Sequence, residues 1–186
     1  MGNFINYCLL LFVMKELLKE LEKFGKENSM FNISKECGEF LYQLVRQFKP
    51  QNILEVGMSN GYSTIWLASA AKEFETPVTT MEIDSRKIKL AKENFKKAKL
   101  DNIRVIEGDA LKIIPSLDEE FDFVFIDAVK KDYLNYLKSI KLSKKAIIAA
   151  HNAVSHKNKM KDFLDFVREN YESRTYEDLD LEVSFT

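Results

Sequence analysis

The stretch from Asn52 to Leu67, Asn-Ile-Leu-Glu-Val-Gly-Met-Ser-Asn-Gly-Tyr-Ser-Thr-Ile-Trp-Leu, constrains the fold more than any other part of the chain. An apolar run (Ile53, Leu54, Val56) breaks at Gly57 and Gly61 and passes into a helix-like run, Thr64 to Ala71. A buried strand, a tight glycine turn and a helix start, in that order, form the βα unit that opens a nucleotide-binding α/β domain. Gly57 can leave the strand at a dihedral other residues resist, and Gly61 lets the backbone approach a ligand closely. The unpaired N–H groups at the helix start favour an anionic group. The spacing Glu-x-Gly-x-x-x-Gly-x-Ser is not the dinucleotide pattern Gly-x-Gly-x-x-Gly, because position 59 is Ser.

A chain of 186 residues, 46% hydrophobic, suits one domain with a full core. We read it as a helical N-terminal segment, 1–49, leading into an α/β core, 50–186. The net charge of −1 supplies no bulk positive field, so nucleic acid is not an expected partner. Lys87 to Lys99 is rich in lysine, but Ile88, Leu90, Ala91 and Phe95 recur at helical spacing, which makes the lysines a solvated face. Cys8 and Cys37 form neither a disulfide framework nor a Cys-x-x-Cys pair, pointing to a reducing, cytoplasmic location. The apolar run Phe4 to Val13 is too short to span a bilayer. It lacks the basic region and small-residue cleavage site of a secretory signal, and Asn6 stands where a myristoylation site wants Ser or Thr. It reads as the start of a helix packed on the domain or on a second copy, the latter making a homodimer; Met14 is an alternative start.

Along the chain, Lys15 to Phe24 has helical spacing and ends near Gly25, a candidate C-cap. Ser34 is a good N-cap for a second helix, Ser34 to Phe48, closed before Pro50. Strands follow at Asn52–Val56, Val78–Ile83, Ile103–Ile106, Phe121–Ile126 and Ala146–Ala150. Helices are expected at Ser63–Phe74, Ser85–Lys99, Ala110–Ile114, Tyr133–Ile140 and Met160–Asn170. Strand and helix alternate five times, which demands right-handed crossovers and a doubly wound, Rossmann-like parallel sheet. Two adjacent strand-like pieces, Arg174–Tyr176 and Leu181–Phe185, then suggest a terminal hairpin, giving seven strands with an antiparallel C-terminal edge.

Ligands of open α/β sheets bind beyond the carboxyl ends of the strands. Those ends carry Glu55/Gly57, Glu82/Asp84, Asp109, Asp127 and His151/Asn152. Any one of these acids could be an ordinary cap; the whole set on one rim is harder to obtain by chance.

The glycine stretch resembles the first motif of class I S-adenosylmethionine-dependent methyltransferases. Met81-Glu-Ile-Asp84, Glu107-Gly-Asp-Ala110 and Phe125-Ile-Asp-Ala-Val-Lys-Lys-Asp-Tyr133 are similar, more narrowly, to catechol and caffeoyl-CoA O-methyltransferases. Met30-Phe-Asn-Ile-Ser34 resembles the segment that family places before its first strand. The resemblance implies that S-adenosylmethionine is bound by Met30, Glu55, Gly57, Ser59, Gly61, Ser63, Glu82, Ile83, Gly108, Asp109, Ala110 and Asp127. Glu82 would accept the ribose hydroxyls, as the matching carboxylate does in dinucleotide folds. It also implies a divalent metal on Asp127, His151 and Asn152, and Lys130 and Asp127 as catalytic residues, Lys130 being the base. One departure stands out: His151-Asn152 replaces the family's Asp-Asn pair.

The expected function is therefore methyl transfer from S-adenosylmethionine to a hydroxyl oxygen of a small, diol or phenolic acceptor. Magnesium prefers oxygen ligands, so an imidazole in the set points to manganese, iron, cobalt, nickel or zinc. The rivals are a methyltransferase acting on RNA or protein, and a cofactor-binding module without turnover.

Overall fold

The computed structural model describes residues 2–186, with side chains from Met14 onward. The packing expected of Phe4 to Val13, Met1 as the start and the side chain of Cys8 lie outside the described residues. The first helix, α1, runs Gly2–Glu27, longer at both ends than periodicity suggested. Gly25 does not end it. The αL position falls on Ser29 (φ 54°), and Met30 N–H bonds back to the Gly25 carbonyl at 3.0 Å. A Cβ at Gly25 would lie 2.6 Å from Asn32 Nδ2, so that glycine makes room for the Asn32 side chain. Met14, Leu17, Leu18 and Leu21 bury the inner face of α1. Among the described residues no helix is long and apolar enough to cross a membrane.

Helix α2, Lys35–Phe48, begins where expected: the Ser34 side chain accepts from Cys37 N–H at 3.1 Å. Strand β1 (Ile53–Val56) is buried at all four positions. Beyond it come α3 (Tyr62–Ala71), β2 (Val78–Glu82), α4 (Ser85–Lys97), β3 (Ile103–Glu107) and α5 (Ala110–Ile113). The second half holds β4 (Phe121–Ile126), α6 (Tyr133–Ser139), β5 (Leu142–His151), α7 (Lys161–Asn170), β6 (Glu172–Tyr176) and β7 (Leu181–Phe185). Short 3₁₀ turns extend α3 and α5 and precede α6, at Lys72–Phe74, Ile114–Ser116 and Lys130–Asp132. Strand β5 starts four residues before Ala146 because Leu142 already pairs with Phe121, across a register irregularity.

The seven strands lie in the order β3-β2-β1-β4-β5-β7-β6. The first five are parallel, and β7 is antiparallel to both of its neighbours. The last strand is thus inserted between β5 and β6, leaving β6 as the edge. Glu182 lies within that arrangement. It is 1% exposed on β7, where a charge needs a partner, and Arg168 of α7 meets it through Nε at 2.8 Å and Nη2 at 2.9 Å. Two apolar layers flank the sheet, one under α1–α4 and one under α5–α7. The order in which strands are added reverses between β1 and β4, which run parallel, and the loops leaving those strands part company there, opening a crevice.

Candidate active site

A cavity of about 630 Å³ opens at that crevice. The turn after β1 forms its floor. Gly57 leaves the strand at φ 93°, and a Cβ there would lie 2.3 Å from the Asp127 carbonyl oxygen; only glycine lets β1 and β4 exit side by side. Gly61 (φ 86°) is constrained differently. Its missing Cβ makes room for Phe95 of α4, at 2.5 Å, and Gly61 is not part of the cavity wall. Ser59 takes φ 48° without being glycine, held by its N–H to Glu82 Oε2 at 3.1 Å and its hydroxyl to the Met30 carbonyl at 3.4 Å.

Glu82 faces the cavity at the end of β2. Its Oε1 accepts from the N–H groups of Ile83 (2.9 Å) and Asp84 (3.1 Å). With Ser59 that makes three backbone donors fixing one carboxylate, and a carboxylate has about four acceptor directions, so capacity remains for a ligand hydroxyl. Met30, Gly57, Ser59, Ser63, Ile83, Gly108, Asp109, Ala110 and Asp127 all line the same cavity. Asp109 caps α5 by accepting from Leu111 N–H at 3.0 Å.

Glu55 lies behind the wall. It is fully buried, and its carboxyl accepts from Ser63 Oγ (2.5 Å), Thr64 Oγ1 (2.5 Å) and Thr80 Oγ1 (2.6 Å). Burial raises its pKa to about 7, against the lowering pull of the three hydroxyls and with a further push from Asp127. Glu55 therefore holds Ser63 and the start of α3 in place from within the core.

The opposite end of the cavity is built by the exits of β4 and β5. Asp127 Oδ1 lies 3.1 Å from Lys130 Nζ, which also donates to the Ala128 carbonyl at 3.1 Å. Burial pushes the Asp127 carboxyl upward, but His151 and Lys130 outweigh it, and its pKa is lowered. His151 Nδ1 is 3.3 Å from Asp127 Oδ2; the atom is buried and makes no hydrogen bond. Asn152 (φ 66°) reaches the cavity wall, its amide nitrogen 3.3 Å from Asp180 Oδ2. Among the described residues no three His, Cys, Asp or Glu side chains are grouped to hold a metal ion. His151 Nδ1, which makes no hydrogen bond, and the Asp127 carboxylate nevertheless face each other, a nitrogen and an oxygen of the kinds that ligate divalent cations, with His151 behind the cavity wall. Asn152 adjoins them.

Several wall residues were not named as site residues in the sequence, Phe31, Asn60, Val129, Tyr136 and His156, and Lys87, read there as part of a solvated face, also lines the cavity. For His156 a signal existed. The chain has two histidines, one ending the fifth strand and the other five residues further on.

The O-methyltransferase family model matches residues 9–173. The chain belongs to that family. It is 35% identical over 130 residues to a catechol O-methyltransferase of Niastella koreensis, covering 66% of this chain and 58% of that one. It is 32% identical over 133 residues to caffeoyl-CoA O-methyltransferase 1 of Eucalyptus globulus, covering 67% and 54%. The chain thus spans a little over half the length of these curated relatives. An SAH-bound methyltransferase of Podospora anserina shares the fold, with a TM-score of 0.83 at 22% identity over 93% of this chain and 86% of that one. Within the O-methyltransferase family, then, this member carries His151 at the end of β5, against Asp127 but behind the cavity wall, and His156 on the wall itself.

Proposed function

We propose that the protein transfers a methyl group from S-adenosylmethionine to a hydroxyl oxygen of a small catechol-like or other phenolic acceptor, with a divalent metal assisting. One observation carries this reading: a single cavity joins the amide-fixed carboxylate of Glu82 to the Asp127, Lys130 and Asn152 cluster across the β1/β4 switch point. The first end suits a ribose, and the second suits an ionising hydroxyl.

The sulfonium methyl is already activated, so the protein's task is alignment, which can supply on the order of 7–11 kcal/mol. Met30, Ser59, Ser63, Glu82 and the Gly108–Ala110 turn would hold the cofactor, while Glu55 keeps Ser63 oriented from the core. Asp127, His151 and Asn152 would hold the metal, which supplies chelation of the acceptor's oxygens and eases loss of the hydroxyl proton. Lys130 Nζ, once it has released its own proton to solvent, takes that proton, and Asp127 Oδ1 with the Ala128 carbonyl then binds the ammonium it becomes. Val129, 52% exposed at the cavity mouth, offers apolar surface to an aromatic ring.

The test is methyl transfer to a panel of diols and monophenols, read by product mass, before and after EDTA. We expect turnover on vicinal diols, lost on chelation and restored better by manganese, cobalt or zinc than by magnesium. His151→Asp should shift the preference toward magnesium. Activity insensitive to EDTA would remove the metal and leave His151 as a direct base. Methyl incorporation into bulk tRNA instead of the diols would overturn the small-molecule acceptor.

A further inference from the structure

His156 and its neighbours form a chain of hydrogen bonds that ends in the cavity. Asp180, in the turn between β6 and β7, adopts φ 53° and spans the loop that follows β5. Its Oδ1 accepts from the N–H groups of Val154 (2.7 Å) and Ser155 (2.9 Å). Its Oδ2 accepts from Ser155 Oγ and from Asn152 Nδ2. Ser155 Oγ, which also accepts from Asn152 Nδ2 at 3.4 Å, lies 2.9 Å from His156 Nδ1, and His156 and Asn152 both line the cavity. The backbone repeats the constraint: His156 N–H donates to the Asn152 carbonyl at 3.0 Å, and the His156 carbonyl accepts from Lys159 N–H at 2.8 Å.

Donor counting fixes the tautomer. Burial raises the Asp180 carboxyl, but the bonds from Ser155, Val154 and Asn152 prevail and hold it low, so it is ionised and can only accept. The single hydroxyl hydrogen of Ser155 is therefore committed to Asp180. What Ser155 Oγ shows His156 is a lone pair, and Nδ1 must carry the hydrogen that fills it. The neutral ring is left with its remaining polar atom, Nε2, as an acceptor. An imidazole anchored in this way, on the wall of the cavity that Lys130 and Asn152 also line, has a defined recognition property.

We infer that His156, positioned by Ser155 and Asp180, is a specificity-determining residue that receives a hydrogen-bond donor carried by the acceptor molecule in addition to its reacting hydroxyl. The inference rests on the proposed hydroxyl-acceptor reading for the reaction, though not for the tautomer. It predicts a preference for diols bearing a short hydroxyl or amine substituent over isosteric diols bearing an alkyl group. A net hydrogen bond at a half-exposed position corresponds to about tenfold in kcat/KM.

Two measurements on the full chain test it. The first is a long-range proton–nitrogen spectrum of the histidine rings at about pH 8, above the range in which histidines ordinarily change charge. The spectrum of His156→Leu assigns the signals by their loss. We expect the Nδ1–H form for His156, with mixing of the two forms in Ser155→Ala; an Nε2–H form in the unmodified chain overturns the inference whatever the activity. The second compares 3,4-dihydroxybenzyl alcohol with 4-ethylcatechol. The expected ratio of kcat/KM, about ten in the unmodified protein, should fall toward one in His156→Leu. No preference, or one that survives His156→Leu, overturns it. If neither diol is methylated, the reaction reading fails, and the same probes are titrated with S-adenosylhomocysteine present. A shift of the His156 Nε2 signal with the alcohol and not with the ethyl compound still supports the recognition role, and its absence sinks it.

Discussion

Glu55 and Glu82 sit at the ends of neighbouring strands, yet their surroundings give them opposite tasks. Three hydroxyls enclose Glu55 in the core, whereas three backbone N–H groups hold Glu82 at the cavity wall. The pKa of Glu55, raised to about 7 by burial, sits above its ordinary 4.5. Between those values the folded chain keeps a proton that the unfolded chain has lost. Stability is therefore full below the lower value, declines as pH rises through the window, and levels off above about 7, for a total on the order of 3 kcal/mol. Urea titrations at about pH 5 and pH 8 should show that decline in the unmodified protein and a flatter profile in Glu55→Gln. A slope that persists in the variant would assign it to another group. For Glu82→Ala, removing a charged acceptor worth roughly 1.5–3 kcal/mol should weaken S-adenosylhomocysteine binding at least tenfold. Calorimetry reads this directly, and unchanged affinity would place the ribose elsewhere.

Between elements, two contacts reverse what local propensity advises. Gly38 lies inside α2, where alanine would ordinarily gain about 1 kcal/mol. Its absent Cβ, however, would lie 2.2 Å from Trp66 Nε1 of α3, and Trp66 is only 5% exposed. Gly38→Ala should therefore destabilise the fold by about 1–3 kcal/mol through overpacking. Trp66 is the single tryptophan, so its fluorescence reports the denaturation midpoint; a rise in the midpoint would show that the helices part freely. The Arg168–Glu182 pair joins α7 to β7, with Thr175 Oγ1 on β6 adding a bond to the carboxylate at 2.6 Å. Arg168→Met strands a buried charge and should cost about 3 kcal/mol, much of it recovered in Arg168→Met/Glu182→Gln. Equal stability of the two variants would deny the coupling.

Across the molecule, the cavity takes residues from loops after β1, β2, β3, β4 and β5 and from the segment joining α1 to α2. A ligand held by so many separate pieces binds the folded chain and not the unfolded one. S-adenosylhomocysteine at a hundred times its Kd should add about 2.7 kcal/mol, seen as a rise in Tm. Gly38 touches Trp66 away from the cavity wall. Gly38→Ala should thus lower Tm while keeping the same ligand-dependent increment, because distant sites add. Loss of the increment would show that α2 and the cavity are coupled.

The strands, the helices and the run of acids on one rim were legible in the sequence because they depend on local periodicity and on which end of a strand a loop leaves. The Asn52–Leu67 stretch, the Ser34 cap and the five-fold alternation needed no distant partner to be read. Tertiary structure alone decided the rest. It made Gly61 a seat for Phe95, withdrew Glu55 behind the wall, and inserted β7 between β5 and β6. It also brought Asp180 beside Ser155 from 25 residues away, giving His156 its place at the cavity. Periodicity records which side of an element is apolar. Which atom fills a given space is settled only when remote segments meet.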